Sequence, residues 1–230
     1  MGWRVSKNSV GSMIDDEEFW KPRRCLREPI PEIFYAAFLL DRAVGAHLAG
    51  DTSSAATLIE AANLPTVRAW TESLWGSKVA NPDQVRYHRF RTVAGAARHI
   101  PKADRVPIRM PSALQRAAMI ERFGRNCVFC GIPVISKEVQ IAIRHDYPDA
   151  LPWGRKNPEQ HAAFQCMWMQ FDHILPHSRG GDNSIDNVVI TCAPCNYGHS
   201  DRTLEELGLI DPRTLVVHKT SWDGLERLLT

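Results

Sequence analysis

Apolar residues recur at helical spacing through three stretches in the first third of the chain. The first covers residues 32–49, with Pro29 and Pro31 at its start and Gly50 at its end. Proline suits the first turn of a helix and glycine the position past its last turn. Asp51, Thr52, Ser53 and Ser54 offer N-cap oxygens for a second helix near 54–62, and Pro65 opens a third over 66–75, ended by Gly76. With Phe34, Phe38, Leu58, Trp70 and Trp75 as core, the three are expected to form a small helical unit. Ser112 is an N-cap for a fourth helix that runs to Phe123 and stops at Gly124. Farther on the period changes. Residues 169–175 read as a strand, 176–186 as a loop containing Gly180 and Gly181, and 187–191 (NVVIT) as a second strand rich in β-branched side chains. A helical stretch starts at Cys195 and includes 204–207. Helices followed by strand, loop, strand and helix predict an α+β chain. Its expected parts are a weakly structured lead-in at 1–28, a helical N-terminal domain at 29–80, a linker at 81–110, and a second domain at 111–230 with a C-terminal extension.

Composition narrows the class. Of 230 residues, 44% are apolar and 23% charged, which excludes a disordered or collagen-like chain. The longest apolar run, residues 33–40, is cut off by Asp41 and Arg42, far short of the roughly 20 residues that cross a bilayer. No apolar block occupies the first twenty residues, and 15–18 are acidic; a secretory signal is not expected, so the location expected is cytoplasmic, without a membrane partner. The net charge is +2, but residues 84–109 hold seven basic side chains and one acidic, with Tyr87, His88, Phe90 and His99 among them. Such a segment suits a phosphate backbone, with Arg86, Arg89 and Arg91 as candidate contacts, and it equally suits a solvated linker. Neither a phosphate-binding nor a dinucleotide-binding glycine motif is present, so nothing points to a nucleotide cofactor.

The six cysteines carry the first specific chemistry. Cys127 and Cys130 form one C-x2-C pair, Cys192 and Cys195 a second. In a reducing compartment such pairs read as zinc ligands, and four thiolates close a tetrahedral site, which makes it structural. The pairs are separated by residues 131–191, too many for a short ribbon, so a folded segment must lie between them. Cys25 and Cys166 are left over and read as buried free thiols. Between the pairs stand Asp172 and His173, and directly after the last cysteine stands Asn196. A carboxylate and an amide oxygen are hard ligands suited to Mg²⁺ or Mn²⁺. Adjacent residues on a regular strand point oppositely, so Asp172 and His173 share a cleft only at a bulge or a strand end. Phe164, Met167, Trp153 and Trp168 read as core of the segment between the pairs, and His145, His161 and His218 as surface residues.

The set Asp172-His173-Ile-Leu-Pro, Gly180-Gly181, Ser184-Ile-Asp-Asn187 and Cys195-Asn196 resembles the HNH endonucleases of the ββα-metal fold, over about residues 112–207. The stretch 172–201 also looks like the HNH module of CRISPR-associated RNA-guided nucleases, while the branch with zinc cysteines before and after is the closer match. The resemblance implies a ββα-metal HNH domain with a four-cysteine zinc site behind the helical N-terminal domain, and a metal-dependent endonuclease that hydrolyses DNA to a 3′-hydroxyl and a 5′-phosphate. His173 would be the general base, Asp172 and Asn196 would hold the catalytic Mg²⁺ or Mn²⁺, and Asn187 would orient His173 through a side-chain or backbone contact. Many members carry histidine where this chain has Asn196; His199, three residues later, is a further candidate for metal or phosphate. His177 and Arg179 in the loop and Arg125 beside the first pair are candidate substrate contacts. The alternatives are a zinc-stabilised nucleic-acid-binding module without catalysis, and a defence or restriction effector activated by a protein partner bound to residues 29–76. Oligomeric state and recognition site are not encoded in these motifs.

Overall fold

In the computed structural model, residues 20–75, 87, 89–217 and 219–230 are described. Helices α1 (Pro31–Leu48), α2 (Thr52–Ala61) and α3 (Pro65–Leu74) begin as their sequences dictate: proline in the first turn of α1 and α3, and Asp51 Oδ1 accepting from the Ser54 amide at 3.0 Å ahead of α2. The buried residues of α1 are Ile33, Ala36, Ala37, Leu40, Ala43 and Val44, at the spacing of one helix face, with Leu39 beside them, and that face packs on α2. Phe34 and Phe38, expected in the core, lie one residue round from Ile33 and Ala37 and so face outward. Trp70, by contrast, is fully buried, its Nε1 donating to the Glu28 carbonyl at 2.8 Å.

The helices rest directly on the second half of the chain: α3 packs against α6 (Ala162–Cys166) and α7 (Ala193–His199), and α1 against α6. Of the expected lead-in, residues 20–28 carry no helix or strand, yet Arg23 pairs with Leu209 as an isolated parallel bridge, and Cys25 and Leu26 are buried. The leftover thiols of Cys25 and Cys166 are both buried, and burial pushes both well above the ordinary thiol value.

α4 (Ala113–Phe123) starts with a reciprocal capping box between Ser112 and Gln115. The segment between the cysteine pairs contains α5 (Lys137–Asp146), capped by Ser136, and α6; Val139, Ile143, Phe164 and Met167 from it are core. His161 corrects the sequence reading. It is fully buried ahead of α6, its Nε2 donating to the Ile59 carbonyl of α2 at 2.8 Å, and burial lowers its pKa to about 4.

Strands β1 (Met169–His173) and β2 (Val188–Cys192) pair antiparallel, Phe171 opposite Ile190 and His173 opposite Val188. β1 ends two residues earlier than its apolar pattern suggests, because Ile174 and Leu175 turn their amides to the Asn187 carbonyl and side chain. The helical stretch after β2 is two pieces, α7 and α8 (Leu204–Leu207), separated at Ser200 with a φ of 56°. Past α8, the C-terminal extension returns over α1 and the first cysteine pair: Arg227 bonds Asp41 at 2.7 Å, and Trp222 Nε1 donates to the Val134 carbonyl at 2.9 Å. Among the described residues, no helix is long and apolar enough to cross a membrane.

Candidate active site and metal centre

The two cysteine pairs meet beneath the β1–β2 hairpin. In the first, the Gly131 amide donates to the Cys127 carbonyl at 2.8 Å, closing a tight turn with Gly131 at φ 77°. The Val128 amide donates to Ile190 of β2 at 3.0 Å and ties that turn to the sheet. In the second, Cys192 ends β2 and Cys195 lies in the first turn of α7. The four sulfurs lie within 4.8 Å of one another. Burial pushes the Cys192 thiol up to about 12 and Cys130 well above its ordinary value, so four thiolates in this space need a cation among them. The donor set fits a bound metal ion: four convergent, largely buried sulfurs.

This centre fixes the start of α7, and α7 carries Asn196 and His199 toward β1. Asp172 and His173, at the C-terminal end of β1, both line a cleft of about 380 Å³ together with Asn196. The strand end resolves the alternation that would otherwise separate them. Asn196 Nδ2 approaches Gln170 Oε1 at 3.4 Å, which leaves its Oδ1 available to a ligand. Asp172 and Asn196 thus offer hard oxygens on one wall, a donor set that fits a divalent ion.

His199 is 1% exposed, and its Nδ1 hydrogen-bonds Asp172 Oδ2 at 2.8 Å. It holds Asp172 from behind the carboxylate and is not among the residues that line the cleft. Burial opposes the charged imidazole, but the charge and hydrogen bond of Asp172 outweigh it, and His199 titrates above the ordinary histidine value.

His173 differs. Burial lowers its pKa, more than the Asn183 hydrogen bond and the Asp172 charge raise it, so the imidazole is neutral at pH 7. Its tautomer follows from its neighbour. Asn183 Nδ2 donates to the Ile108 carbonyl at 2.8 Å, so Asn183 Oδ1 faces His173 Nε2, 2.9 Å away, and accepts from it. The proton sits on Nε2 and the lone pair on Nδ1. Sequence reasoning misses Asn183, because its contacts are with the His173 ring and with a carbonyl 75 residues away.

Asn187 does not touch His173 with its side chain. Its Oδ1 accepts from the Leu175 amide at 2.9 Å, and its Nδ2 donates to the carbonyls of Leu175 and Asp182 at 3.2 and 2.9 Å. It braces the two ends of the loop, and its own carbonyl receives the Ile174 amide next to His173.

The candidate substrate contacts are mostly engaged within the fold. Arg179 is buried, paired with Glu206 at 2.8 Å and donating to the carbonyls of Asp201 and Ala97. Arg125 pairs with Glu226 and donates to the Asp223 carbonyl. His177 Nε2 donates to the Val106 carbonyl at 2.9 Å. Arg91 donates to the carbonyls of Glu205 and Glu206, and both Arg89 and Arg91 lie over the Trp20 ring. Arg86 and His218 fall outside the described residues. Of these candidates His177 lines the cleft, and with it stand Arg105 and Arg109, which sequence reasoning leaves unassigned.

A two-stranded sheet, a loop and a helix that together present Asp, His and Asn in one cleft define a ββα-metal module. The family model of HNH endonucleases matches residues 163–209, from α6 through α8. The matched segment carries the fold and sequence pattern of that family, a nuclease family, with the helical N-terminal region and the cysteine metal centre built around it. No curated protein and no solved structure matches the chain significantly.

Proposed function

We propose that the chain is an HNH endonuclease that hydrolyses DNA to a 3′-hydroxyl and a 5′-phosphate. One site nicks one strand, and cutting both takes a dimer or two successive events. The observation that carries this reading is the meeting of a neutral His173 with Asp172 and Asn196 in one cleft. His173 Nδ1, the nitrogen left with a lone pair, takes the proton of the attacking water. Asn183 holds the ring through Nε2, and Asn187 holds the loop that carries Asn183. His199 fixes the rotamer of Asp172. A divalent ion held by Asp172 and Asn196, Mg²⁺ or Mn²⁺ by donor type, would supply positive charge at the scissile phosphate and the leaving 3′ oxygen. In the four-cysteine centre zinc is the metal that the sulfurs favour. A cytoplasmic location fits this reading, since a thiolate metal centre is best kept in a reducing compartment. In this reading residues 111–230 carry the chemistry.

The test is cleavage of supercoiled plasmid by purified protein with Mg²⁺, with Mn²⁺ and with EDTA, His173→Ala beside it. Metal-dependent nicking that disappears in the variant is expected. Wild-type cleavage by His173→Ala sinks the mechanism; folded, zinc-loaded protein that binds DNA and never cuts favours the binding-module alternative. A second reading has one specific observation behind it. Phe34, Tyr35 and Phe38 form an exposed aromatic face on α1, suited to a protein partner that switches the nuclease on. Full cleavage by the chain alone removes the need for that partner.

A further inference from the structure

Residues 89–110 contain a single 3-10 turn, Lys102–Asp104, and otherwise no regular structure. A solvated linker of that composition would touch little. This one is gripped along its length by the β1–β2 loop. Arg179 Nη1 donates to the Ala97 carbonyl at 2.6 Å, His177 Nε2 to Val106 at 2.9 Å, and Asn183 Nδ2 to Ile108 at 2.8 Å. In the other direction, the Ile100 amide donates to the Ser178 carbonyl at 2.8 Å. Ile100 also seats its side chain on Gly180, where a Cβ would lie 2.9 Å from Ile100 Cδ1. Three loop side chains thus reach for backbone carbonyls, contacts that hold the path of the segment whatever its own side chains are.

The consequence of this path is where it leaves two arginines. Arg105 Nε donates to the Ile100 carbonyl at 2.9 Å, which aims the guanidinium while its two terminal nitrogens have no hydrogen-bond partner among the described residues. Arg109 has neither hydrogen bond nor ion pair among the described residues, and it lies close enough to act electrostatically on His173. Both line the cleft that holds Asp172, His173 and Asn196. Arg125, Arg179, Arg213 and Arg227 are all paired with carboxylates. Unpaired guanidinium groups beside a hydrolytic site have the geometry for phosphate oxygens.

We propose that residues 97–110 are a strap belonging to the nuclease site, and that Arg105 and Arg109 hold the phosphate backbone of the substrate strand beside the bond to be cut. This rests on the nuclease reading above and adds to it the groups that anchor the substrate. They lie outside the matched segment, so the cleft is complete only with the strap docked. Asn183 joins the two functions, bonding the strap at Ile108 and the base at His173.

The experiment separates binding from chemistry. Binding of a labelled random-sequence duplex is measured against salt with His173→Ala in EDTA, with and without Arg105→Ala and Arg109→Ala together. The pair of substitutions is expected to reduce the slope of log K against log salt by about 2 and to weaken binding by about tenfold or more. In cleavage-competent protein it is expected to raise KM by about tenfold and leave kcat within about twofold. The two Arg→Lys changes should retain most of the slope, since the charge remains. Arg144→Ala, on the exposed face of α5 and outside the cleft, should change neither KM nor slope. An unchanged slope and KM overturns the proposal. So does faster cutting by the double variant, which would make the strap an occluding element. A reduced slope in a protein that cuts under no condition supports the anchoring role while refuting the nuclease reading.

Discussion

Gly181→Ala is the smallest change that tests how the active-site loop is built. A Cβ at this position would lie 1.7 Å from the Leu175 carbonyl oxygen and 2.7 Å from Asn187 Nδ2. Real Cβ contacts stay above 3.0 Å, so the two backbones must part by about 1.3 Å. Neither neighbour is a flexible chain end. Leu175 is held through both its amide and its carbonyl by Asn187, and the Gly181 amide donates to the Pro176 carbonyl at 3.1 Å. The opening therefore breaks the Asn187 brace and moves Asn183, and with it His173 Nε2. Overpacking of this kind costs about 2–4 kcal/mol, or a fall in Tm of about 5–15 °C for a chain of this length. A displacement near 1 Å at a reacting group lowers rate by about a hundredfold. The assay is plasmid nicking in Mg²⁺ alongside thermal unfolding and zinc content, so that a folded, slow enzyme is distinguished from a collapsed one. Gly45→Ala is the matched control. This glycine is inside α1 with nothing within 4 Å of the added methyl, so the change should stabilise by about 0.5–1 kcal/mol. Wild-type nicking and Tm in Gly181→Ala would refute the placement of the loop against Leu175.

Other expectations rest on single contacts. Asn183→Leu frees His173 Nε2 and releases Ile108, so kcat should fall by about ten- to a hundredfold with the protein still folded; unchanged kcat would remove Asn183 from the mechanism. Cys192→Ser opens the sulfur centre and should lower bound zinc from one per chain and lower Tm, by metal analysis and calorimetry; undiminished zinc would contradict the four-sulfur site. His161 is held neutral in the fold, with its pKa moved from 6.5 to about 4, so the native state refuses a proton that the unfolded chain accepts. Its contribution is fully present above pH 6.5 and lost as pH falls toward 4, by roughly 3 kcal/mol. Stability of wild type minus His161→Gln, followed by denaturant unfolding across that interval, should drop by this amount; a constant difference would show that His161 does not titrate as its burial implies.

The features legible in the sequence are those whose causes are local. Proline at the first turn and Asp51 as a cap locate three helices because capping acts within four residues. The β1–β2–α7 unit is readable because its candidate ligands lie within 25 residues, Asp172 to Asn196, with a cysteine pair at its end. Ser136, three residues ahead of Val139, is a cap signal for α5 that sequence reasoning passes over. The features that escape are tertiary. Phe34 and Phe38 have core character, but the α1 stripe is chosen by what α2 and α6 present to it. Arg125 and Arg179 look like free cations until Glu226 and Glu206 arrive from 101 and 27 residues away. His161 is surface-like by composition and buried because α2 offers it a carbonyl 102 residues distant.

The same distinction explains how the site is held from two sides. Below, the cysteine centre joins the first knuckle, β2 and the start of α7, so Asn196 is fixed one residue after a ligand sulfur and His199 one turn later, against Asp172. That half is compact in sequence and readable from it. Above, the loop that carries Asn183 has no sulfur ligand and only one 3-10 turn, His177–Arg179, to stiffen it. Its rigidity comes from Gly181 packed against Leu175, from Asn187 across its ends, and from a strap more than 70 residues upstream. The base role proposed for His173 needs a fixed ring and a fixed tautomer, and here the tautomer is set through Asn183 by the Ile108 carbonyl. A change that loosens the strap without touching the motif, such as Ile100→Ala against Gly180, should therefore lower activity while zinc content and the ββα fold persist.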